Sequence, residues 1–556
     1  MRSRPVIAAV LIVACARTPA PVTAPAPAPG PKPVATKALA LPAIPVVDGP
    51  LAIHVVYPQA GQTITSRDSN FIFGSIGSGK ASLLINGHPA RVYPNGAFIA
   101  FIPNPPVSSP RYELVAQRGG ESVRVTHSIN FPAARPLAPT PAPAPTPPAA
   151  ARPAARASSR ADTLDALTSR LERRMDSLHA TLMRDEPIGW VRLGTANAAA
   201  DTDRVVIARP VPGGTYKWFF LPGTVVPLVS RGEGFARVRL DRNLDVYVDT
   251  LDAAYVSPTL APERSTTTMR LVPNTDGTDL VIPVGERPPY FVEETDHSIV
   301  LTLYGVRANT DLINYASADS LVRTVEWEQL SAERARVTVN LRAAPYGYLV
   351  LWERSSLVLK LRAHPHIDAA SPLRGLTIAV DPGHPPVGAT GPTGLWEPQA
   401  TLPIGMRLKT ILEARGARVV MTRTTPDPVA LGDRPIIARR ANVNAFVSIH
   451  LNALPDGVNP FVAPGTGTYF FRSHSEPLAR AVQRGMVSQM VLQDLGVNYD
   501  NLAVVRATWY PAVLCEGAFL MMPDQEFALR TPEFQERYAR GIADGLENYF
   551  RSLGAR

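Results

Sequence analysis

Three stretches in the C-terminal third of the chain each end in a residue that can bind a metal or move a proton. The apolar run 376–380 is closed by a Pro-Gly pair and delivers His384, and two similar runs lead into His450 and Glu516. Apolar, partly β-branched runs bounded by turn residues are typical of buried strands. Because ligands bind beyond the carboxyl ends of the strands in an open α/β sheet, we expect these three side chains to meet.

The residue types predict a metal centre with a separate base. Two imidazoles and one carboxylate form a common catalytic zinc set, because they leave the fourth coordination position to water. Glu397, thirteen residues after His384, supplies a suitable carboxylate. A second carboxylate that does not bind the metal, here Glu516, can take a proton from that water. The spacing is not that of the helical HExxH motif.

Four motifs carry a family resemblance. They are Asp381-Pro382-Gly383-His384, Gly388-Ala389-Thr390-Gly391 with Glu397, Ser448 to Ala453, and Pro511 to Gly517 with Phe519-Leu520. From about Arg374 onward the chain resembles the zinc-dependent N-acetylmuramoyl-L-alanine amidases of cell division, spores and phage lysins. The resemblance implies that Zn²⁺ is bound by His384, Glu397 and His450. It also implies that Glu516 is the catalytic glutamate.

The same resemblance suggests two substrate-binding residues, and the sequence also differs from the usual family pattern at several positions. Asn452 and Arg434 fall at positions similar to family-typical polar residues near the cleft, and we predict that they bind substrate. Residues 385–387 are Pro-Pro-Val, where the family usually has Gly-Gly and an acidic residue. Prolines also stand at positions 398 and 403. Because proline costs about 3 kcal/mol inside a helix, we expect the next helix to begin near Gln399 or Ala400, with Glu397 on the preceding loop.

The C-terminal unit, residues 372–556, is predicted to be an α/β catalytic domain with a mostly parallel sheet. Strand and helix patterns alternate along this unit. One helix is predicted to start at Asp433, whose side chain is placed to cap its N-terminus. Two more are predicted from about Pro477 to Leu495 and from Pro532 to about Arg551. Such alternation favours a sheet covered on both faces. Cys515 should point away from Glu516 and be buried. His474, in a polar turn, is expected to be exposed.

Several small all-β modules precede this domain, so the chain is predicted to be multidomain. Short alternating runs and Asn-Gly turns predict an Ig-like β-sandwich at 51–131. Residues 187–260, with aromatic residues at 218–220, resemble an SH3-like barrel, for which wall binding is a hypothesis. The β-rich region 261–366 is similar in position and strand content to the N-terminal AMIN-type targeting domains of amidases.

The N-terminus predicts a lipoprotein. Residues 1–15 have a charged start, a short apolar run and Cys15, and resemble a lipoprotein signal in which Cys15 is acylated. Ala16 and Arg17, which directly follow Cys15, are not acidic, and this favours the outer membrane. Proline- and alanine-rich segments at 16–50 and 132–161 are predicted to be a tether and a linker. An amphipathic helix is predicted at 162–186, which either docks on a neighbouring domain or forms a coiled-coil dimer.

Length and charge limit the kinds of partner that we expect for this chain. The chain has 556 residues, long enough for several domains, and 56 basic against 47 acidic side chains. That mild excess is compatible with an anionic cell wall or with simple surface solvation. We expect peptidoglycan as partner, contact with the membrane through the lipid anchor, wall or division-site partners through the β modules, and no nucleic acid. The expected location is the cell envelope, on a lipoprotein facing the periplasm.

The predicted reaction is hydrolysis of the amide between N-acetylmuramic acid and L-alanine by zinc-activated water, with a glutamate as base. Two alternatives stay open. One is a non-catalytic peptidoglycan-binding lipoprotein with a degenerate amidase domain, and the other is a zinc peptidase acting on another wall amide. Some division amidases block their site with a helix after the second histidine motif. Only Leu454 to Thr466 is available here, so we expect no such helix.

Overall fold

The computed structural model describes residues 40–132, 185–194, 205–257, 261–462 and 464–555. The predicted signal peptide with Cys15 lies outside these ranges. So do most of the tether, the linker and the amphipathic helix. Within the described residues, no helix is both long and apolar enough to cross a membrane.

The first β region contains seven antiparallel strands in the order β1-β2-β5-β4-β3-β6-β7. They are β1 His54–Tyr57, β2 Ser69–Ser75, β3 Ser82–Ile85, β4 His88–Val92, β5 Ala97–Pro103, β6 Arg111–Arg118 and β7 Glu121–Ser128. Alternate residues of β6, from Tyr112 to Ala116, are buried, as the period of a strand with one covered face requires. We call this region the N-terminal sandwich, after the β-sandwich that the sequence predicts.

The second β region has a seven-stranded sheet in the order β10-β9-β13-β12-β11-β8-β14. The strands are β8 Gly189–Leu193, β9 Val206–Arg209, β10 Trp218–Phe220, β11 Val225–Arg231, β12 Phe235–Asp241, β13 Leu244–Asp249 and β14 Ala253–Val256. Trp218 and Phe220 are buried in its core. The aromatic pair therefore stabilises the module from within.

The third β region, β15 to β23, divides into a five-stranded and a four-stranded sheet that share one core. Its strands are β15 Met269–Pro273, β16 Gly277–Pro283, β17 Tyr290–Glu294, β18 Ser298–Tyr304, β19 Ile313–Asn314, β20 Val322–Ser331, β21 Arg334–Leu341, β22 Gly347–Glu353 and β23 Ser356–Arg362. The expectation of several β-rich regions before the catalytic domain is confirmed.

The C-terminal domain has a six-stranded sheet in the order β25-β24-β26-β29-β27-β28. The strands are β24 Thr377–Pro382, β25 Arg418–Met421, β26 Ala445–Asn452, β27 Gly465–Phe470, β28 Gln493–Tyr499 and β29 Ala512–Phe519. The helices are α1 Glu397–Ala414, α2 Asp433–Arg440, α3 Glu476–Met490, α4 Pro523–Arg530 and α5 Pro532–Gly554. All strand pairs are parallel except β27 with β29.

The two faces of this sheet pack against different elements. Alternate residues such as Val447 and Cys515 pack with helices α1, α3, α4 and α5 in one core. Their neighbours in sequence, such as Phe446 and Leu514, face a second core that includes Ala438 of α2. This alternation places Cys515 on the helix side of β29, away from the direction taken by Glu516.

Three expectations about helix ends are wrong. Helix α1 begins at Glu397 itself, because Pro398 occupies its first turn, where a missing N–H costs nothing, and Pro403 is accommodated inside. Helix α2 has Gly432 as its N-cap, and the Asp433 side chain makes no capping bond. Helix α3 ends at Met490, and the remaining predicted residues enter β28.

His474 is buried, not exposed, because the third β region covers it. Its backbone N–H and its Nδ1 each lie 3.0 Å from Oε2 of Glu294, on β17. Burial raises the pKa of Glu294, but the contact with His474 outweighs it and lowers the pKa to about 2. This buried pair therefore joins the third β region to the catalytic domain.

Glu294→Gln should remove the charge and lower stability by about 1–3 kcal/mol at neutral pH. Because the folded pKa of Glu294, about 2, lies below its ordinary value of 4.5, the carboxylate stabilises the fold above pH 4.5. The stabilisation is lost as the pH falls toward 2. Melting curves of wild type and variant should therefore converge on acidification. Glu293→Gln, on the same strand but exposed, is the control, and an equal effect of both substitutions would contradict this account.

Candidate metal centre

The carboxyl ends of three adjacent strands meet at one edge of the sheet. Strand β24 pairs in parallel with β26, with Pro382 opposite Ile449, and β26 pairs in parallel with β29, with His450 opposite Glu516. His384 follows the end of β24 by two residues. The register of the sheet therefore brings both histidines and Glu516 to the same place.

Among the described residues, His384, Glu397 and His450 form a group whose potential ligand atoms all lie within 4.8 Å of one another. Nε2 of His384 lies 3.2 Å from Oε2 of Glu397, and Nδ1 of His450 lies 3.2 Å from Oε1. Both imidazoles are partly exposed, at 21% and 17%, whereas the Glu397 carboxylate is 4% exposed. Two partly exposed imidazoles and a buried carboxylate fit a divalent metal such as Zn²⁺.

Glu397 is oriented by the backbone around it. Its Oε2 accepts a hydrogen bond from the N–H of Ala389 at 3.0 Å, and its Oε1 accepts one from the N–H of Leu451 at 2.9 Å. Burial raises the pKa of this carboxyl, but hydrogen bonds with His384 and His450 outweigh it, so the pKa lies below its usual range. The group is held as a carboxylate, which is the form that binds a metal.

The turn carrying His384 has a strained backbone and no spare room. His384 has a φ of 56°, in the left-handed region that non-glycine residues seldom adopt. A Cβ at Gly383 would lie 2.5 Å from the ring of His450 and 2.7 Å from the carbonyl of Ile449. Glycine is therefore required here because the second imidazole packs directly against the first turn.

Two buried arginines hold this turn from below. Arg434 on α2, 3% exposed, donates to Oδ1 of Asp381 at 2.7 Å and to the carbonyls of His384 and Pro385 at 3.0 and 3.1 Å. Arg423 donates to the carbonyls of Pro382 at 2.8 Å and of the following glycine at 3.1 Å. The carbonyl groups of this strained turn thus accept hydrogen bonds from charged donors, and such bonds are stronger than those from neutral donors.

Glu516 lies across from the cluster with one oxygen unpaired. Its Oε2 is buried and, within the described residues, has no hydrogen-bond partner. Burial, and secondarily the negative charge of Glu397, raise the pKa of this carboxyl well above its ordinary value. A buried acceptor without a partner carries a large desolvation cost, so its presence beside three potential metal ligands points to a chemical use.

Sequence motifs predicted most of the residues at this site, but not the residues that hold the His384 turn in place. The structure brings together all four residues predicted from the motifs. Asn452 lies at the end of β26, two residues beyond His450. The contacts of Arg434 are those of a residue that positions the His384 turn, and its predicted contact with substrate stays a prediction. Asp381 and Arg423 were not assigned a role, although both lie at strand ends beside the site.

A parallel-stranded α/β domain with two histidines, a glutamate and an unpaired carboxylate at one edge has the residue types that a metal-dependent hydrolase would need. Comparison with known proteins gives the family. The family model described as N-acetylmuramoyl-L-alanine amidase, Amidase_3, matches residues 378–548. This chain belongs to that family, and the resemblance drawn from the four motifs is confirmed.

Individual relatives cover the same region. The probable cell wall amidase LytH of Staphylococcus epidermidis is 34% identical over 188 residues, or 33% of this chain and 62% of that protein. The sporulation-specific N-acetylmuramoyl-L-alanine amidase of Bacillus subtilis is 34% identical over 182 residues, or 31% of this chain and 68% of that protein. The solved amidase AmiC2 of Nostoc punctiforme is 33% identical, with 31% of this chain and 96% of that chain covered and a TM-score of 0.30.

Arg434→Lys should destabilise the domain and loosen the His384 turn. A lysine cannot donate to the Asp381 carboxylate and to the turn carbonyls together, so buried acceptors lose their partner. We expect a loss of about 3 kcal/mol and fewer metal ions bound per chain, measured by thermal melting and by atomic emission. Arg440→Lys, exposed on the same helix, is the control. Full stability and metal content in Arg434→Lys would show that the turn does not depend on this side chain.

Proposed function

We propose that the chain hydrolyses the amide joining N-acetylmuramic acid to L-alanine in peptidoglycan, with Zn²⁺ as cofactor. The observation that carries the proposal is the meeting of His384, Glu397 and His450 opposite the unpaired oxygen of Glu516. The family membership supports the choice of this amide. The LytH relative is matched over only 62% of its own length, and the match spans 33% of this chain.

The residues divide the work between holding the metal and moving a proton. His384, Glu397 and His450 would hold the zinc ion, which when bound would polarise the scissile carbonyl and lower the pKa of a water molecule well below that of bulk water. Glu516 takes the proton of the attacking water and returns it to the leaving amine of L-alanine. The backbone N–H groups of Ala389 and Leu451 keep the Glu397 carboxylate in place throughout, so its orientation does not have to be established during the reaction.

This division of roles favours catalysis over binding alone. A domain that only holds peptidoglycan has no need of a second carboxylate beside the metal ligands. Glu516 is retained, and its Oε2 is buried without a partner, which is costly for a binding module. We therefore place the non-catalytic alternative second, and a zinc peptidase acting on another wall amide third.

We propose that the remaining parts of the chain keep this activity in the cell envelope. We propose that Cys15 carries a lipid, that the protein faces the periplasm from the outer membrane, and that the three β regions are Ig-like, SH3-like and AMIN-like modules. The cell-wall role in the relatives' names supports an envelope location. Between β26 and β27 the described residues contain no helix, which supports a site that is not blocked by one.

Glu516→Gln should lower the rate of peptidoglycan cleavage by about 10²–10⁴-fold, because an amide cannot accept the water proton. Zinc content should stay at the wild-type level, because Glu516 is not among the three ligands. Release of peptides from purified sacculi gives the rate, and atomic emission gives the zinc. Glu413→Gln, an exposed carboxylate on α1, is the matched control. Wild-type cleavage by Glu516→Gln would remove the glutamate from the mechanism.

A further inference from the structure

The N-terminal sandwich holds the loop that follows the second histidine strand. Asp456 in this loop accepts hydrogen bonds from the N–H and hydroxyl of Thr65, at 2.8 and 2.9 Å, and from the Asn70 amide at 3.2 Å. The hydroxyl of Tyr57 also donates to Asp456. Asn70 in turn accepts from the N–H of Gly457 at 3.0 Å. Both hydrogen-bonding groups of Asn70 are thus used to join the two domains.

A shared apolar core fixes the same contact. Phe71, Phe73 and Ile99 of the sandwich pack in one buried cluster with Phe519, Met521 and Met522, at the end of β29 and just beyond it. The two phenylalanines are 2% and 4% exposed. Burial of several large apolar side chains between two domains favours a fixed relative position. The sandwich therefore forms a rigid neighbour of the candidate metal centre.

A cleft of about 910 Å³ lies between the two domains. The residues 53–57 and the following loop, with Gln59 and Ala60, form one wall, and Gly388 to Thr390 with Ala453 form the other. The N–H of Ala389 donates to Glu397, so the second wall is directly bonded to a candidate metal ligand. Ala453 follows His450 by three residues. The cleft therefore runs alongside the catalytic residues.

The sandwich presents a strand edge to this cleft. Strand β1 is at the end of its sheet and pairs with β2 alone among the described strands. All four residues of β1 line the cleft, together with Ile53 before the strand. Because the side chains of a strand alternate between faces, we infer from this lining that the open edge of β1, and not one of its faces, borders the cleft. A strand edge with unused N–H and C=O groups pairs readily with an extended peptide.

We propose that this cleft is a subsite for the stem peptide of peptidoglycan, with the N-terminal sandwich supplying one wall. The proposal rests on the amidase activity proposed above, which puts the first residue of the stem at the metal centre. An extended peptide leaving that centre can pair with β1, whose four residues span about 13 Å. The sandwich then selects substrates by the length of their stem.

The glycan strand fits the cleft less well. Sugars are commonly held by exposed aromatic faces, but the aromatic residues here stack on one another. Tyr57 lies 5.0 Å from Phe71 and 5.6 Å from Phe73 between ring centroids. Both phenylalanines are also covered by the catalytic domain. The cleft therefore offers backbone groups to a peptide and little free ring surface to a sugar.

Filling the cleft from the sandwich side tests the proposal. Ala60 and Gln59 are exposed lining residues outside β1, so Ala60→Trp and Gln59→Trp should obstruct the cleft and leave the fold intact. Gln117→Trp, exposed on β6 of the same sandwich and not part of the lining, is the matched control. The full chain is assayed with a disaccharide carrying a tetrapeptide stem, the same disaccharide with a dipeptide stem, and a tetrasaccharide with dipeptide stems.

The ratio of kcat/KM for the tetrapeptide over the dipeptide stem should fall about tenfold in both cleft variants, but not in Gln117→Trp. The same ratio of affinities, measured by calorimetry in the Glu516→Gln background, should fall in parallel. An unchanged ratio, or a fall confined to the longer glycan, would overturn the proposal. Wild type that cleaves neither the probes nor purified sacculi would refute the proposed function, and the calorimetric ratio would still decide the subsite.

Discussion

The parallel register of three neighbouring strands is the constraint on which the site depends. With β24, β26 and β29 aligned, His384 just beyond β24, His450 on β26 and Glu516 on β29 are brought together, although each is more than sixty positions from the next along the chain. The apolar faces of these strands are buried between two layers, so a shift of register would expose the core. The same burial that stabilises the domain therefore sets the distance between the two imidazoles.

A buried network of charged side chains stabilises the turn that follows β24 and carries His384. The Asp381 carboxylate, 0% exposed, pairs with Arg434, which reaches on to the carbonyls around His384. Such a pair costs desolvation energy and is retained only when its hydrogen bonds are complete. Here it holds a residue with a φ of 56° in the conformation that presents its ring to Glu397. The stability of the network and the geometry of the site are therefore coupled.

His384, His450 and Glu516 could be predicted from the sequence because each follows a strand pattern, and Glu397 could be predicted because it belongs to a recognisable motif. Contacts between segments that are distant in the sequence could not be predicted in this way. Burial of His474 depends on Glu294, 180 residues earlier, and the loop at Asp456 is bound by Thr65, 391 residues away. Helix α1 begins earlier than predicted because Pro398 occupies its first turn, where proline is tolerated. Local pattern predicts elements, whereas the packing of modules decides what surrounds the site.

The most direct test is digestion of purified sacculi by the full chain, before and after removal of metal with a chelator. Products are identified by mass spectrometry. The account predicts release of intact stem peptides with a free L-alanine amine, loss of release in chelator, and recovery on addition of Zn²⁺. Release that is unaffected by metal removal, or cleavage at another bond, would contradict it. So would a folded chain that binds Zn²⁺ and releases no peptide.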